Sequence, residues 1–512
     1  MRLNSVMRVC LVIIAVSMFA GKSAAAVSLS PGYAVITKAS VAADKEWGPV
    51  IKLLLKKYPD TKLYTYTETP FDVLDKLKAD RPRYMALVLP PPQIGKDTVV
   101  TMHQLSRKLD DDPYGDCLWG IITGYTAEDA MRIVRTKKPL EIKSAFGTTG
   151  FRTKAMVNVL NISDSTRGEV FMIEDGGQPQ KTKHDSASAE GLTPLLENFW
   201  SEKEPELFVT SGHATQYNLE ISWGQGLITC YANRFYALRH DQLKEFARFL
   251  HGIVFDGNEQ DLVDYIQKCQ APALKISTSP KVWVGAGNCL LGDVNRSRNT
   301  MAVTALSAGG FNQLVGYTVT TWFGRMGWGT LGKFQGPQHI TLAEAFFMSN
   351  QSILDECVQQ YPQLLKMNIN PYDNFFELIR TPEFHDQAKS AGIEKFKKES
   401  FGLLHDRDTV AFYGDPRWEA RMPGAAAIRV KSKPIKGGVE LQISTTDKFK
   451  AGSGFISLFP VSIKNPHLNG GDGWDLLLTD DFVVVKSSDL IPDAVKTIQV
   501  LAEGEGAEGG KN

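Results

Sequence analysis

The run Tyr84-Met85-Ala86-Leu87-Val88-Leu89 is apolar at nearly every position, without the alternation of a strand that shows one face to water. Such continuous runs fit strands buried on both faces of a parallel sheet. Towards the N-terminus, Tyr33–Thr37 and Lys62–Thr67 also read as strands. Between them Trp47, Val50, Ile51, Leu54 and Tyr58 recur at helical spacing, with Pro49 in the first turn, where its missing N–H leaves no extra orphan. Val73–Lys78 is a second helix. The order β-α-β-α-β predicts an α/β fold, a parallel sheet covered by helices.

The alternation continues through the strand Leu118–Ile122, the helix Ala127–Val134, the helix Leu192–Trp200 and the strand Leu207–Thr210. Helices are expected at Asp241–Gly252 and Glu259–Cys269, then a strand at Val282–Ala286, a helix at Thr300–Ala308 and a strand at Leu314–Val319. Leu342, Phe346, Ser349, Ile353 and Cys357 step along one helix face. Residues 137–191 are too rich in Lys, Ser, Thr, Gly and Asp for the pattern to order them. Beyond residue 424 the texture changes to short β-type runs at Ile428–Val430, Val439–Ser444, Phe455–Leu458 and Phe482–Val485, punctuated by paired glycines. A small all-β domain over 424–501 is expected, with a helix period only at Asp493–Leu501 and a Gly/Glu-rich disordered tail over 502–512.

The 512 residues carry 57 Lys+Arg against 57 Asp+Glu, a formal net charge of zero. A nucleic-acid binder would show a basic excess, so none is expected as a partner. At the N-terminus Arg2 and Arg8 precede the apolar stretch Val9–Ala20, and Ala24–Ala26 follow. Positive start, short apolar stretch and small-residue end read as a signal peptide over 1–26, and therefore as an exported protein with no membrane span in the mature chain. Five cysteines remain after it: Cys117, Cys230, Cys269, Cys289 and Cys357, an odd number. No Cys-x-x-Cys, His-Glu-x-x-His or P-loop pattern is present in the mature chain, which argues against a structural zinc and a nucleotide site. No cofactor is expected. Asn469–Asp475 offers oxygen ligands for a structural Ca²⁺, but a Gly/Asp hairpin turn is the plainer reading.

Two residues stand out by position. His213 follows the strand Leu207–Thr210 through Ser211-Gly212, and Cys289 follows the strand Val282–Ala286 through Gly287-Asn288. Sites in α/β sheets lie at the carboxyl ends of strands. A His and a Cys there suggest a thiolate–imidazole pair, in which the imidazole accepts the thiol proton.

The local sequences carry a resemblance. Leu207–Ala214 resembles the strand and histidine motif of the gingipain-like cysteine peptidases, of the caspase-like superfamily. Val282–Asp293 resembles their cysteine motif, an apolar strand ending in Cys-x-x-Gly-Asp. Leu314–Trp322, with Met326 after it, is similar to the wall of their S1 pocket, and Thr409–Pro416 to the Gly-Asp-Pro segment that closes their catalytic domain. The resemblance covers roughly residues 32–490. It implies a caspase-like sandwich in two subdomains, an N-terminal α/β subdomain over 27–136 and a catalytic one over 137–423, followed by an immunoglobulin-like β domain. It further implies an exported endopeptidase acting on protein or peptide substrate, with Cys289 as nucleophile and His213 as general base. The backbone N–H groups of Ala214 and Cys289 would form the oxyanion hole, and Thr321 and Trp322 would contact substrate.

The chain departs from that pattern. Ala214 stands where the family has glycine, the spacing from His213 to Cys289 is longer, and the family's Gly-Arg reads Gly124-Tyr125. The loop Tyr114–Leu118 is short where the family carries its acidic S1 residue. Asp116 is a stand-in only in principle and reads as a solvated loop Asp, and Asp112 is the weak candidate for a group orienting His213. The Ala214 and Tyr125 departures motivate the alternative, an inactive member serving as a binding or assembly module.

Overall fold

The computed structural model describes residues 32–184, 192–222, 226–239, 264, 266–268, 273–368, 372, 375–450, 454–470, 473–486 and 490–503. The signal-peptide segment, the helix Asp241–Gly252 and most of Glu259–Cys269, Cys269 included, lie outside the described residues.

The strands run in chain order as β1 (Tyr33–Lys38), β2 (Thr61–Tyr66), β3 (Tyr84–Val88), β4 (Leu118–Ile122), β5 (Leu140–Glu141), β6 (Ser144–Gly147), β7 (Asn158–Ile162), β8 (Glu169–Ile173) and β9 (Gln180–Lys183). Then come β10 (Leu207–Thr210), β11 (Asn218–Ile221), β12 (Gly226–Tyr231), β13 (Arg234–Arg239), β14 (Lys281–Gly285), β15 (Phe311–Tyr317), β16 (Val410–Gly414) and β17 (Ala420–Arg421). Twelve of them form one sheet in the order β2-β1-β3-β4-β16-β15-β14-β10-β6-β7-β8-β9. The first five are mutually parallel. So are β15, β14, β10, β6 and β7. The two sets run in opposite directions and meet at the antiparallel pair β15–β16.

The apolar runs behave as expected of parallel strands. Every residue of β4, β10, β14, β15 and β16 is buried. Helices cover them, among them Gly48–Lys57, Ala127–Arg135 and Leu342–Gln360. The last of these buries Leu342, Phe346, Ser349, Ile353 and Cys357, the face read from the spacing. The polar stretch 137–191, which the pattern left unordered, supplies β6 to β9. Its inner strands are short, and β9 is exposed throughout, so periodicity had little to register.

After residue 427 the chain is built from antiparallel strands: β18 (Ile428–Ile435), β19 (Gly438–Thr445), β20 (Gly454–Leu458), β21 (His467–Asn469), β22 (Asp475–Leu478), β23 (Phe482–Lys486) and β24 (Val495–Leu501). They make one sheet β18-β19-β24-β21 and another β20-β23-β22, with Phe455, Trp474, Val485 and Val500 among the residues packed between them. The helix period expected at Asp493–Leu501 is wrong. That stretch is β24, paired with β19 on one side and β21 on the other. Ile498 and Val500 alternate inward there, and two flanking strands override a weak helical pattern.

Because β15 and β16 oppose each other, the carboxyl ends of β10, β14 and β15 share a sheet edge with the amino ends of β16 and β4. His213 and Cys289 leave the sheet at this edge. Tyr125 and Asp415, which follow β4 and β16, lie at the opposite one.

Candidate active site

β10 and β14 are neighbours in parallel register, with Thr210 opposite Gly285, so the loops carrying His213 and Cys289 leave the sheet side by side. Their backbones are joined at once by the Ala286 N–H donating to the Thr210 carbonyl at 2.8 Å. A side-chain relay then crosses between them. The Trp283 indole N–H donates to Thr210 Oγ1 at 2.7 Å, Thr210 Oγ1 donates to Asn288 Oδ1 at 2.5 Å, and Asn288 Nδ2 donates to the Gly212 carbonyl at 3.0 Å. Asn288 is fully buried, so these bonds form in a dry interior where leaving any of them unmade is costly. On the far side, Thr148 Oγ1 accepts from the Ser211 N–H and donates to the Ser211 carbonyl. Gly212 has φ of +107°, a conformation that disfavours any side chain, and it turns the chain so that His213 stands exposed beyond the strand end.

Cys289 is held from the third strand. The Thr321 N–H points at its sulfur at 3.2 Å, and Thr321 Oγ1 donates to the Asn288 carbonyl at 3.1 Å. Leu290 follows in the left-handed region with φ of 57°, and its N–H bonds the Val319 carbonyl. Gly292 packs backbone to backbone on β15, where a Cβ would lie 2.3 Å from the Gly316 carbonyl oxygen, so the turn after Cys289 requires glycine there. Beneath this turn the buried Asp406 accepts from the Tyr317 hydroxyl at 3.0 Å and from the Met326 N–H at 3.1 Å. That fixes the start of the helix Arg325–Phe334. Trp322 and Trp328 stand out from the same region, 50% and 41% exposed.

Of the described cysteines, Cys117, Cys230 and Cys357 are buried, and Cys289 alone is half-exposed. Burial pushes its thiol above the ordinary value, and the Thr321 N–H pulls it partly back. The group therefore rests as a thiol and needs a base to become a nucleophile. The backbone N–H groups of Ala214 and Cys289 take no other residue's backbone carbonyl among the described residues.

The structure brings together His213, Ala214, Cys289 and Thr321, with Trp322 following on the loop after β15. It does not bring in Asp112 or Asp116. The reading of Asp116 as a solvated loop residue is corrected: it is 5% exposed, and its carboxylate accepts the Leu109 N–H at 2.7 Å. It sits with Asp110 and Asp112 in a carboxylate group beside Asp480 and Asp481 of the C-terminal region. Burial and these neighbours push Asp112 up to about 6, Asp116 well above the usual range and Asp481 up to about 7. Gln351 and Asp355 hold the Tyr114-Gly115 turn by hydrogen bonds, which keeps Asp116 inside. Tyr125 lies at the other sheet edge with its N–H on Ser307 Oγ, so that departure does not touch the candidate site. Asp415 is also remote: it accepts from Tyr33 and Tyr58 hydroxyls and pairs with Lys57 at 2.7 Å, a structural hub.

Asn288 and Asp406 had no functional reading in the sequence. Asn288 adjoins the cysteine, but nothing in one sequence separates a buried relay Asn from a turn Asn. A cavity of about 910 Å³ between the sheet and the C-terminal strands, lined by Lys143, Glu206, Pro280, His339, Arg421 and Lys431, opens at the opposite edge from Cys289. Among the described residues no helix is long and apolar enough to cross a membrane.

No family model matches this chain, and no curated protein matches it. Among solved structures it is similar to the Arg-specific cysteine proteinase gingipain R, with 11% identity and a TM-score of 0.41, over 93% of this chain and 95% of that one. A complex of the pro- and mature domains of RgpB from Porphyromonas gingivalis gives 10% identity and a TM-score of 0.40, over 92% of this chain and 100% of that one.

Proposed function

We propose that the chain is a cysteine peptidase acting through Cys289 and His213. The observation that carries this reading is the joining of the two loops by the Asn288–Gly212 bond at the carboxyl edge of adjacent strands. The motif resemblance of residues 207–214 and 282–293 supports it independently of geometry.

In this reading His213 takes the Cys289 proton as the sulfur attacks the scissile carbonyl carbon. The carbonyl π pair moves to oxygen, which the N–H groups of Ala214 and Cys289 receive. Each such donor contributes roughly 3 kcal/mol to the transition state. The imidazolium then gives its proton to the leaving amine as the C–N bond breaks, and water, deprotonated by the same imidazole, releases the acyl group from sulfur. Thr321 positions the sulfur through its N–H, and the exposed Trp322 supplies an apolar wall for the substrate side chain. The finer expectations belong to the same proposal: a caspase-like catalytic region, an immunoglobulin-like C-terminal domain, and an exported endopeptidase whose segment 1–26 is removed.

The test is labelling of the purified protein with peptidyl acyloxymethyl ketones of varied P1 residue, with the modified residue located by mass spectrometry. Labelling of Cys289 that His213→Ala abolishes is expected. An unlabelled, reduced Cys289 across the whole P1 set would overturn the reading in favour of a binding module on the same fold.

A further inference from the structure

The chain from His213 to Ile221 folds back on itself as a tight antiparallel pair. Ala214 is bridged to Leu219, the Thr215 N–H donates to the Asn218 carbonyl at 2.9 Å, and the Glu220 N–H donates to the His213 carbonyl at 2.9 Å. This register places Glu220 directly opposite His213. Directly opposed residues on an antiparallel pair send their side chains to the same face, with Cβ atoms about 5 Å apart. A glutamate there reaches an imidazole with one or two rotamer choices and no backbone movement.

We propose that Glu220 is the positioning residue of His213: its carboxylate holds the imidazole ring in the orientation that faces Cys289 and stabilises the imidazolium formed when the thiol proton is transferred. The inference rests on the peptidase reading above and supplies the member of the site that the sequence left unassigned. A nucleophile–base pair works well when a third group orients the base.

Three observations bear on it. Glu220 is half-buried on β11, whose next strand places Leu227 opposite it, so the carboxylate has an apolar neighbour on one side and the histidine on the other. Burial pushes its carboxyl above the usual range, and the charge of His213 is the opposing influence that draws it down. The candidate that the sequence offered, Asp112, is tied instead to the Tyr114 N–H within the carboxylate group.

The proton bookkeeping needs no further reactant. The thiol proton goes to His213, then to the leaving amine, and Glu220 stays ionised throughout.

The experiment compares the full chain with Glu220→Gln, Glu220→Asp and Cys289→Ala, using a peptide substrate found with the labelling set. Glu220→Gln keeps the shape and removes the charge. A fall in kcat of about tenfold or more is expected, with KM and the thermal midpoint unchanged, and Glu220→Asp recovering most of the loss. Full kcat in Glu220→Gln, with Cys289→Ala inactive, overturns the role of Glu220 and leaves the peptidase reading intact. Hydrolysis that survives Cys289→Ala overturns both. Equal losses in Gln and Asp variants accompanied by a lower thermal midpoint also overturn it, because they show a structural hairpin residue.

Discussion

Asn288 Nδ2 donates to the Gly212 carbonyl at 3.0 Å, so the residue before the cysteine holds the residue before the histidine. In the proposed peptidase, the alignment of His213 and Cys289 thus depends on a side chain that itself takes no part in the reaction. Asn288→Ala would leave the Thr210 hydroxyl and the Gly212 carbonyl without these partners in a buried setting. A loss of about 1–3 kcal/mol in stability is expected from the orphaned groups, read from denaturant midpoints. Freed to shift by an ångström or so, the loops should also cost about a hundredfold in kcat. A variant with wild-type kcat would show that the relay is only structural.

Cys289 rests as a thiol, and burial is the reason. Its alkylation by a small neutral reagent such as iodoacetamide should therefore accelerate steadily as pH rises from neutrality past 9, because only the thiolate reacts. A rate already at its plateau at pH 6–7 would mean a preformed thiolate–imidazolium pair and contradict this resting state.

Trp322 is half exposed. Trp322→Ala should change stability by less than about 0.5 kcal/mol, as surface substitutions do. If the ring covers a substrate side chain, KM should rise by about tenfold with kcat little changed, and steady-state kinetics on one peptide would show it. An unchanged KM places the substrate elsewhere along the edge.

Burial, with nearby carboxylates such as Asp110, pushes Asp112 up to about 6, Asp481 up to about 7 and Asp116 well above the usual carboxylate range. Folding raises these values, so the folded chain holds protons that the unfolded chain has already released. Their contribution to stability is present at about pH 4 and is lost as pH rises through 7. The denaturation midpoint should accordingly be higher at pH 5 than at pH 8, and Asp481→Asn should narrow that difference. Arg83, 3.9 Å from Asp481, limits the effect without cancelling it.

The strands of the large sheet were legible where each was a buried, nearly unbroken apolar run: Leu118–Ile122 and Leu207–Thr210 match the observed β4 and β10 residue for residue. Strands β6 to β9 were not: they are four or five residues long, set among polar loops, with β9 exposed throughout, and β6 joins the parallel sheet only through β10, about sixty residues on. That His213 and Cys289 follow buried strands was legible, and the parallel pairing of those strands places their loops side by side. Asp116 was misread because a loop aspartate looks solvated in sequence, and only the packing of Tyr114-Gly115 on Gln351 and Asp355 turns it inward. Asn288 and Glu220 act through register and burial, neither of which a single sequence displays.

The placement of β16 between β4 and β15 sets a condition on biogenesis. The first four strands are made within the opening 122 residues, yet their neighbour in the sheet arrives only at Val410–Gly414. The Tyr33 hydroxyl likewise finds Asp415 across a sequence separation of 382. Until that strand emerges, β4 presents an open, apolar edge, and the early half of the sheet waits on contacts of very high order, which form slowly. The growing chain must keep that edge covered for most of its own synthesis. A truncation ending before residue 410 should therefore yield aggregates rather than a smaller folded unit.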